Sequence, residues 1–277
     1  MNQLANISPS AHTEIMENLN AIQSDHDVRI LFAIESGSRA WGFPSPDSDY
    51  DVRFVYVHSQ DWYLTITPGR DVIELPLFDK DTYYENRYEH DLDINGWDLK
   101  KALNLLMKPN PVLLEWLSSP IRYMWNNEAC DDLTALSRKV TFGPACLHHY
   151  LNLGRRQWNT YVGDKTEVNL KKYFYIVRPA MAIRWLRMNS DITPPMNFYD
   201  LKAGINLSAN LNEQLDELLE KKSRSKELGE AKRIDIVDKF VMNELFWASE
   251  AVKKMPRAST NLQDEANNIF KKWIKLV

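Results

Sequence analysis

Two aspartates, Asp49 and Asp51, stand two residues apart at the mouth of an apolar run, Tyr50 to Val57. Twelve residues before Asp49, the pair Gly37-Ser38 closes an earlier apolar run, Val28 to Ile34. No other stretch constrains the fold as tightly. Side chains alternate faces along a strand, so Asp49 and Asp51 should point the same way, roughly 6–7 Å apart. Carboxylates that close repel each other unless a cation lies between them. A hard divalent ion with oxygen ligands suits the pair, Mg2+ above all and Mn2+ as the alternative. Glycine permits a tight bend whose backbone N–H groups suit phosphate oxygens. A phosphate cradle beside a carboxylate pair predicts chemistry on a nucleoside triphosphate. A solvated turn would explain Asp47 and Asp49 but not Asp51, which lies inside an apolar run. A calcium-binding helix-loop-helix is excluded, because Val52 and His58 stand where that loop needs Gly and Glu.

The rest of the chain is read around that stretch. A helix is predicted over 8–25, with Ser10 as its cap and Ile15, Leu19 and Ile22 on one face. Strands are predicted over 28–34, 50–57, 71–78 and 87–94, the third broken by Pro76 and the last ended by Asn95-Gly96. Asp98 opens a helix through Met107, and a short helix follows over 111–118. From about residue 126 the pattern is helical, with helices over 144–162, 167–189, 209–222, 234–254 and 260–276. The highly charged stretch 223–230 reads as an exposed connection. Strands followed by helices predict an α+β chain: a mixed β-sheet with flanking helices over 1–140, then an all-α helical bundle over 141–277.

Composition bounds the class. Net charge is −4, so nucleic-acid binding has no overall electrostatic argument. Two cysteines, Cys130 and Cys146, make neither a disulfide framework nor a zinc site. No apolar run approaches a membrane span, and Met1-Asn2-Gln3-Leu4 has no basic leader, so a cytoplasmic protein is expected. The near-neutral total hides a division. Residues 71–98 hold nine acids against two bases, and residues 151–188 hold eight bases against two acids. An acidic sheet facing a basic helical wall suits a triphosphate with its metals. Asp93 is the best third carboxylate, late in a strand and just before a Gly turn, with Asp91 and Glu89 on the same face as alternatives. Lys171, Tyr175 and Arg178 stand at i, i+4, i+7, one face of a helix. By spacing alone that face reads as solvated. Lys172 is an alternative phosphate contact, and Arg39 reads equally as a phosphate contact or a surface ion pair.

Gly-Ser, ten residues, then Asp-x-Asp at a strand resembles the signature of the DNA polymerase beta-type nucleotidyltransferase superfamily. The longer phrases are similar to a narrower group: Gly37-Ser38-Arg39-Ala40-Trp41-Gly42 with Asp49-Tyr50-Asp51-Val52-Arg53, then Asp93 to Leu103, then Leu170 to Pro179. They resemble the bacterial and phage nucleotidyltransferase family linked to RNA repair. The resemblance implies transfer of a nucleoside monophosphate, ATP being the expected donor, to a hydroxyl acceptor with release of pyrophosphate. It implies Asp49, Asp51 and Asp93 as metal-holding and catalytic residues. It places Gly37, Ser38, Arg39, Lys171, Lys172, Tyr175 and Arg178 around the nucleotide, with an RNA end as acceptor. Two other readings carry different tests. A metal-dependent glycosyltransferase also uses Asp-x-Asp but would release sugar from a nucleotide-sugar. A non-catalytic nucleotide or RNA sensor would bind ATP and release no pyrophosphate.

Overall fold

The second apolar run becomes the middle of a five-stranded mixed sheet, because both of its faces are covered. The computed structural model describes residues 7–67, 69–75, 89–108, 110–140, 143–190, 192–224, 229–255 and 261–275. In chain order the first part holds α1 (Pro9–Asp25), β1 (Val28–Glu35), the single turn α2 (Gly37–Ala40), β2 (Tyr50–His58), the single turn α3 (Gln60–Tyr63), β3 (Val72–Leu75), β4 (Leu92–Asp98), α4 (Leu99–Met107), α5 (Pro111–Leu117) and β5 (Arg122–Trp125). Then come α6 (Asn127–Ser137), α7 (Gly143–Tyr161), β6 (Glu167–Asn169), α8 (Leu170–Met188), α9 (Phe198–Ala203), α10 (Ala209–Arg224), β7 (Glu230–Lys232), α11 (Asp235–Val252) and α12 (Gln263–Trp273).

The sheet order is β3-β4-β2-β1-β5. Strands β2 and β4 are parallel, and every other neighbouring pair in this sheet is antiparallel. One face carries Val52, Phe54 and Tyr56, which pack with Ala11, Ile15, Leu19 and Ile22 of α1. Each buried aliphatic side chain there contributes about 1.5–3 kcal/mol of transfer free energy. The other face carries Val55 and Val57 and joins a larger core built from α4 to α12. That core is continuous across residue 140. The last helix packs back on the first part: Tyr63 meets Phe270 edge-on, and Trp273 Nε1 donates to Asp132. Cys130 and Cys146 are free and buried, and burial pushes both thiols up to about 12. Among the described residues no helix is long and apolar enough to cross a membrane.

Several local expectations need correction. The helix α1 is capped by Ser8, whose hydroxyl accepts from Ala11 N–H, and not by Ser10. Pro9 at the first helical position favours that start. The fourth strand begins at Leu92 and continues through Asn95-Gly96 to Asp98. Gly96 marks a close approach within the strand: a Cβ there would meet the Phe54 ring at 2.1 Å. Asp93 is therefore near the start of its strand, and Glu89 and Asp91 precede it. Strand β5 and the small β6–β7 ribbon were not predicted, being only four, three and three residues long. Asn169 ends the ribbon and caps α8 by accepting from Lys172 N–H. Residues 76–88, with Asp79, Lys80, Asp81, Glu85 and Arg87, lie outside the described residues.

Candidate active site

Parallel pairing fixes the acidic half of the site. In the β2–β4 register Asp51 lies opposite Asp93, so their side chains leave the same face of the sheet, the face that carries Arg53 and Val55. The guanidinium of Arg53, on the same face as Asp51, lies between them. Its Nη2 donates to Asp51 Oδ1 at 3.2 Å and to Asp93 Oδ2 at 2.6 Å. Its Nη1 donates to the carbonyls of Val52 at 2.9 Å and Asp93 at 2.7 Å. Asp51 is raised above the usual carboxylate range, first by burial, with Arg53 opposing and Asp93 and Asp49 adding to the rise. Asp49 stands just ahead of the strand and is exposed. Among the described residues no group of three or more His, Cys, Asp and Glu side chains is placed to hold a metal ion. The expected trio is present as a facing pair with Asp49 beside it.

The glycine turn is fitted to that pair. Gly37 has φ +54°, and a Cβ on it would fall 1.8 Å from Asp51 Oδ2. Only glycine combines that backbone with that approach. Ser36 N–H donates to the Asp51 carbonyl at 2.8 Å, tying the turn to β2. Below the turn Glu35 is fully buried; Asp51 N–H donates to its Oε1 at 3.0 Å and Tyr123 donates to its Oε2 at 2.6 Å. Burial pushes Glu35 up to about 7, against the Tyr123 hydrogen bond. Ser38 is half-buried in the same turn. Arg39 is turned inward: its Nε donates to the Asp49 carbonyl at 3.1 Å, its Nη2 donates to the Ser48 carbonyl, and it covers the Tyr50 ring. It shapes the aspartate loop.

The helical half contributes the first two turns of α8. Tyr175 lies near both acids, since Asp51 and Asp49 add to the rise that burial produces in its phenol. Trp41 packs edge-on to Tyr175 at 6.1 Å between ring centroids. The Lys172 amine sits 5.1 Å from the Tyr175 ring and 5.2 Å from the Tyr161 ring. Lys171 reaches Asp47 at 3.8 Å. Arg178 is turned inward, away from Lys171 and Lys172. It is buried, bonded to Glu115 Oε1 at 3.1 Å and to the Met196 carbonyl at 3.3 Å, and it stacks on Trp41. Tyr150 donates to the same Glu115 oxygen at 2.6 Å. Arg184 and Arg187 likewise pair with buried Glu244. Much of the anticipated basic wall is thus internal pairing, and its site-facing charge is Lys171 and Lys172.

Sequence reasoning missed Arg53, Glu35, Tyr123 and Lys222. Arg53 was legible, being two residues after Asp51 on one strand face. Lys222 continues the buried stripe Leu211, Leu215, Leu218, Leu219 by helical spacing, a signal hidden by the charged residues around it. A cavity of about 420 Å³ lined by Trp62, Tyr63, Asp98 and Lys101 lies at the other end of β4 from Asp93 and is separate from this site.

The chain is similar to known proteins over most of its length. The chain is 40% identical over 256 residues to the uncharacterized protein YcgL of Bacillus subtilis (strain 168), covering 92% of this chain and 94% of that one. A crystal structure of a nucleotidyltransferase-like protein from Exiguobacterium sibiricum 255-15 aligns over 95% of this chain and 80% of that one, with 12% identity and a TM-score of 0.27. Residues 11–272 match the model of the RNA repair pathway DNA polymerase beta family, and the chain belongs to that family.

Proposed function

We propose that the protein transfers a nucleoside monophosphate from a nucleoside triphosphate, ATP in the first instance, to a hydroxyl on an RNA end, releasing pyrophosphate. The observation that carries this reading is the register of Asp51 against Asp93 on parallel strands, with the side-chain-free Gly37 against Asp51. The pair fits a shared cation, because one nitrogen of Arg53 already touches an oxygen of each. Asp51 and Asp93, with Asp49, would hold Mg2+ or Mn2+, whose charge would offset that of the phosphates and make the acceptor hydroxyl more acidic.

This chain's own residues do the positioning. Gly37 leaves room for Asp51 and for the phosphates, and Ser38 offers its hydroxyl from the same turn. Glu35 and Tyr123 fix the backbone at Asp51, so the carboxylate is aimed before substrate arrives. Lys171 and Lys172 neutralise the phosphate chain and the departing pyrophosphate. Tyr175 and Trp41 flank the base or sugar. Arg39 and Arg178 hold the aspartate loop and Trp41 in place.

The test is incubation with labelled ATP, GTP, CTP and UTP, Mg2+ and total cellular RNA. Label should enter RNA with one pyrophosphate released per transfer, and Asp51→Asn should abolish it. Full transfer by Asp51→Asn would refute the assignment. The position of Arg53 favours one second reading: a nucleotide sensor in which the guanidinium remains between the acids. That reading requires ATP binding with no pyrophosphate released for any acceptor. A glycosyltransferase reading loses its ground to the family match.

A further inference from the structure

Lys222, near the end of α10, is an anomaly of charge. It is 4% exposed, yet among the described residues no carboxylate lies within ion-pair distance of it. Its amine sits over the Phe43 ring at 4.2 Å and the Phe174 ring at 5.4 Å from the centroids. Ammonium in an aromatic cradle gains something from the ring faces, but burial without a counter-charge is costly. The charged groups it feels are Lys171 of α8, which opposes it, and Asp47 of the aspartate loop, which favours it.

The place where this amine lies is itself electropositive. Helix α8 begins at Leu170, so Lys171 and Lys172 occupy its first turn, and no acid stands in that turn. Cations there oppose the helix dipole, and nothing about helix stability selects them. The cradle also touches the glycine turn, because Phe43 N–H donates to the Ser38 carbonyl at 3.1 Å. Two amines, those of Lys222 and Lys171, and the positive end of a long helix thus gather beside the turn that holds Ser38, partly offset by Asp47.

We propose that Lys222, with Lys171 on the first turn of α8, forms an anion subsite that takes the terminal phosphate oxygens of a polyphosphate. Asp47 holds Lys171 in place until that anion replaces it. The proposal rests on the nucleotidyl-transfer reading only in naming the polyphosphate as a nucleotide's tail. Burial and the neighbouring Lys171 push the Lys222 amine down to about 8. A phosphate oxygen beside it favours the charged form, so binding near pH 8.5 draws a proton onto Lys222.

Inorganic tripolyphosphate, free of metal, is the probe. Calorimetry at pH 8.5 in two buffers of different ionisation enthalpy gives both affinity and proton uptake for the wild type, Lys222→Met and the exposed neighbour control Lys221→Met. Methionine preserves the contacts with Phe43 and Phe174 and buries no charge. Lys222→Met should bind at least about tenfold more weakly, the loss of one charged contact, and take up fewer protons. Lys221→Met should match the wild type. On the wild-type protein, saturating tripolyphosphate should also slow acylation of Lys222, read by mass spectrometry, which needs no variant to fold. Equal affinity and proton uptake in Lys222→Met, or unchanged acylation, overturns the subsite. So does a wild type that binds neither tripolyphosphate nor ATP. If Lys222→Met binds normally while Asp51→Asn abolishes transfer, the subsite falls and the catalytic reading stands. If Lys222→Met loses tripolyphosphate but no nucleotide is ever transferred, the subsite stands and the catalytic reading falls.

Discussion

Replacing Gly37 with alanine separates the backbone from the chemistry. Gly37 has φ +54°, where an L-residue costs about 1–2 kcal/mol. The unfolded chain loses freedom in the same substitution, returning roughly 0.4–1 kcal/mol. The net cost is about 1 kcal/mol, or a fall of about 2–4 °C in Tm for a chain of this size. The new Cβ would also lie 1.8 Å from Asp51 Oδ2 and 2.6 Å from its Cγ. A carboxylate can swing away cheaply, so stability suffers little, but Asp51 must move by about 1 Å or more. Such a displacement of a reacting group lowers rate by about 100-fold. Gly229 is the control: it has φ +26° with nothing within 4 Å of an added Cβ. Gly229→Ala should lose similar stability and keep its rate. The assay is pyrophosphate release under saturating Mg2+ and nucleotide, with thermal unfolding alongside. Gly37→Ala with wild-type turnover would show that the position of Asp51 beside the turn does not matter, and the site assignment would be wrong.

Arg53→Gln removes the cation between Asp51 and Asp93, and in EDTA it should lower stability by about 1 kcal/mol, the partial exposure of both acids limiting the effect. Mn2+ should then raise the Tm of Arg53→Gln more than that of the wild type; equal rises would show that arginine and metal do not compete. Glu115→Ala leaves Arg178 buried and unpaired and should cost about 3–5 kcal/mol in urea unfolding, with Arg178→Met plus Glu115→Leu recovering most of it. Recovery of stability with lost ATP binding would instead return Arg178 to the phosphates. Lys222 binds its proton less tightly in the fold, at about 8 against 10.5 for the ordinary amine. Between those values the unfolded chain holds more protons, so stability rises with pH. Relative to Lys222→Met, the wild type should gain about 1.5 kcal/mol between pH 8 and 9.5, read by urea unfolding at each pH. A flat difference would place the amine in water.

Local signals anticipated the positions of the acidic side chains better than those of the basic ones, and the reason is geometric. Strand parity reaches two residues in either direction, so Asp51 and its face could be read directly, and Gly37 followed from the bend. Which acid on the next strand meets Asp51 depends on register across a stretch of more than thirty residues, and that is not local. Asp93 stands opposite Asp51 in the β2–β4 register although its strand was expected to begin five residues earlier. Asn95-Gly96 looked like punctuation, but Gly96 is small to admit Phe54 from the next strand. In the helices the same i, i+4, i+7 spacing joined Lys171, Tyr175 and Arg178, yet their partners differ. Glu115, on α5, draws Arg178 inward, and nothing near Arg178 in sequence announces it.

Both halves of the site carry a charge imbalance, and each has an internal substitute for what a substrate would bring. At the acidic end Arg53 stands between the two carboxylates proposed to hold the metal. At the basic end Asp47 lies against Lys171, and its charge is felt by Lys222. A bare triphosphate would satisfy only the second end and a bare divalent ion only the first. Their complex satisfies both at once, so the two should bind with positive coupling: each lowers the cost of displacing the substitute at the other end. Coupling is reciprocal, so Mn2+ should tighten tripolyphosphate by the same factor that tripolyphosphate tightens Mn2+. Arg53→Gln should shrink that factor, since the carboxylates are then already released. If calorimetry finds the factor unchanged in Arg53→Gln, the arginine is a permanent strut between β2 and β4 and not a stand-in for the metal.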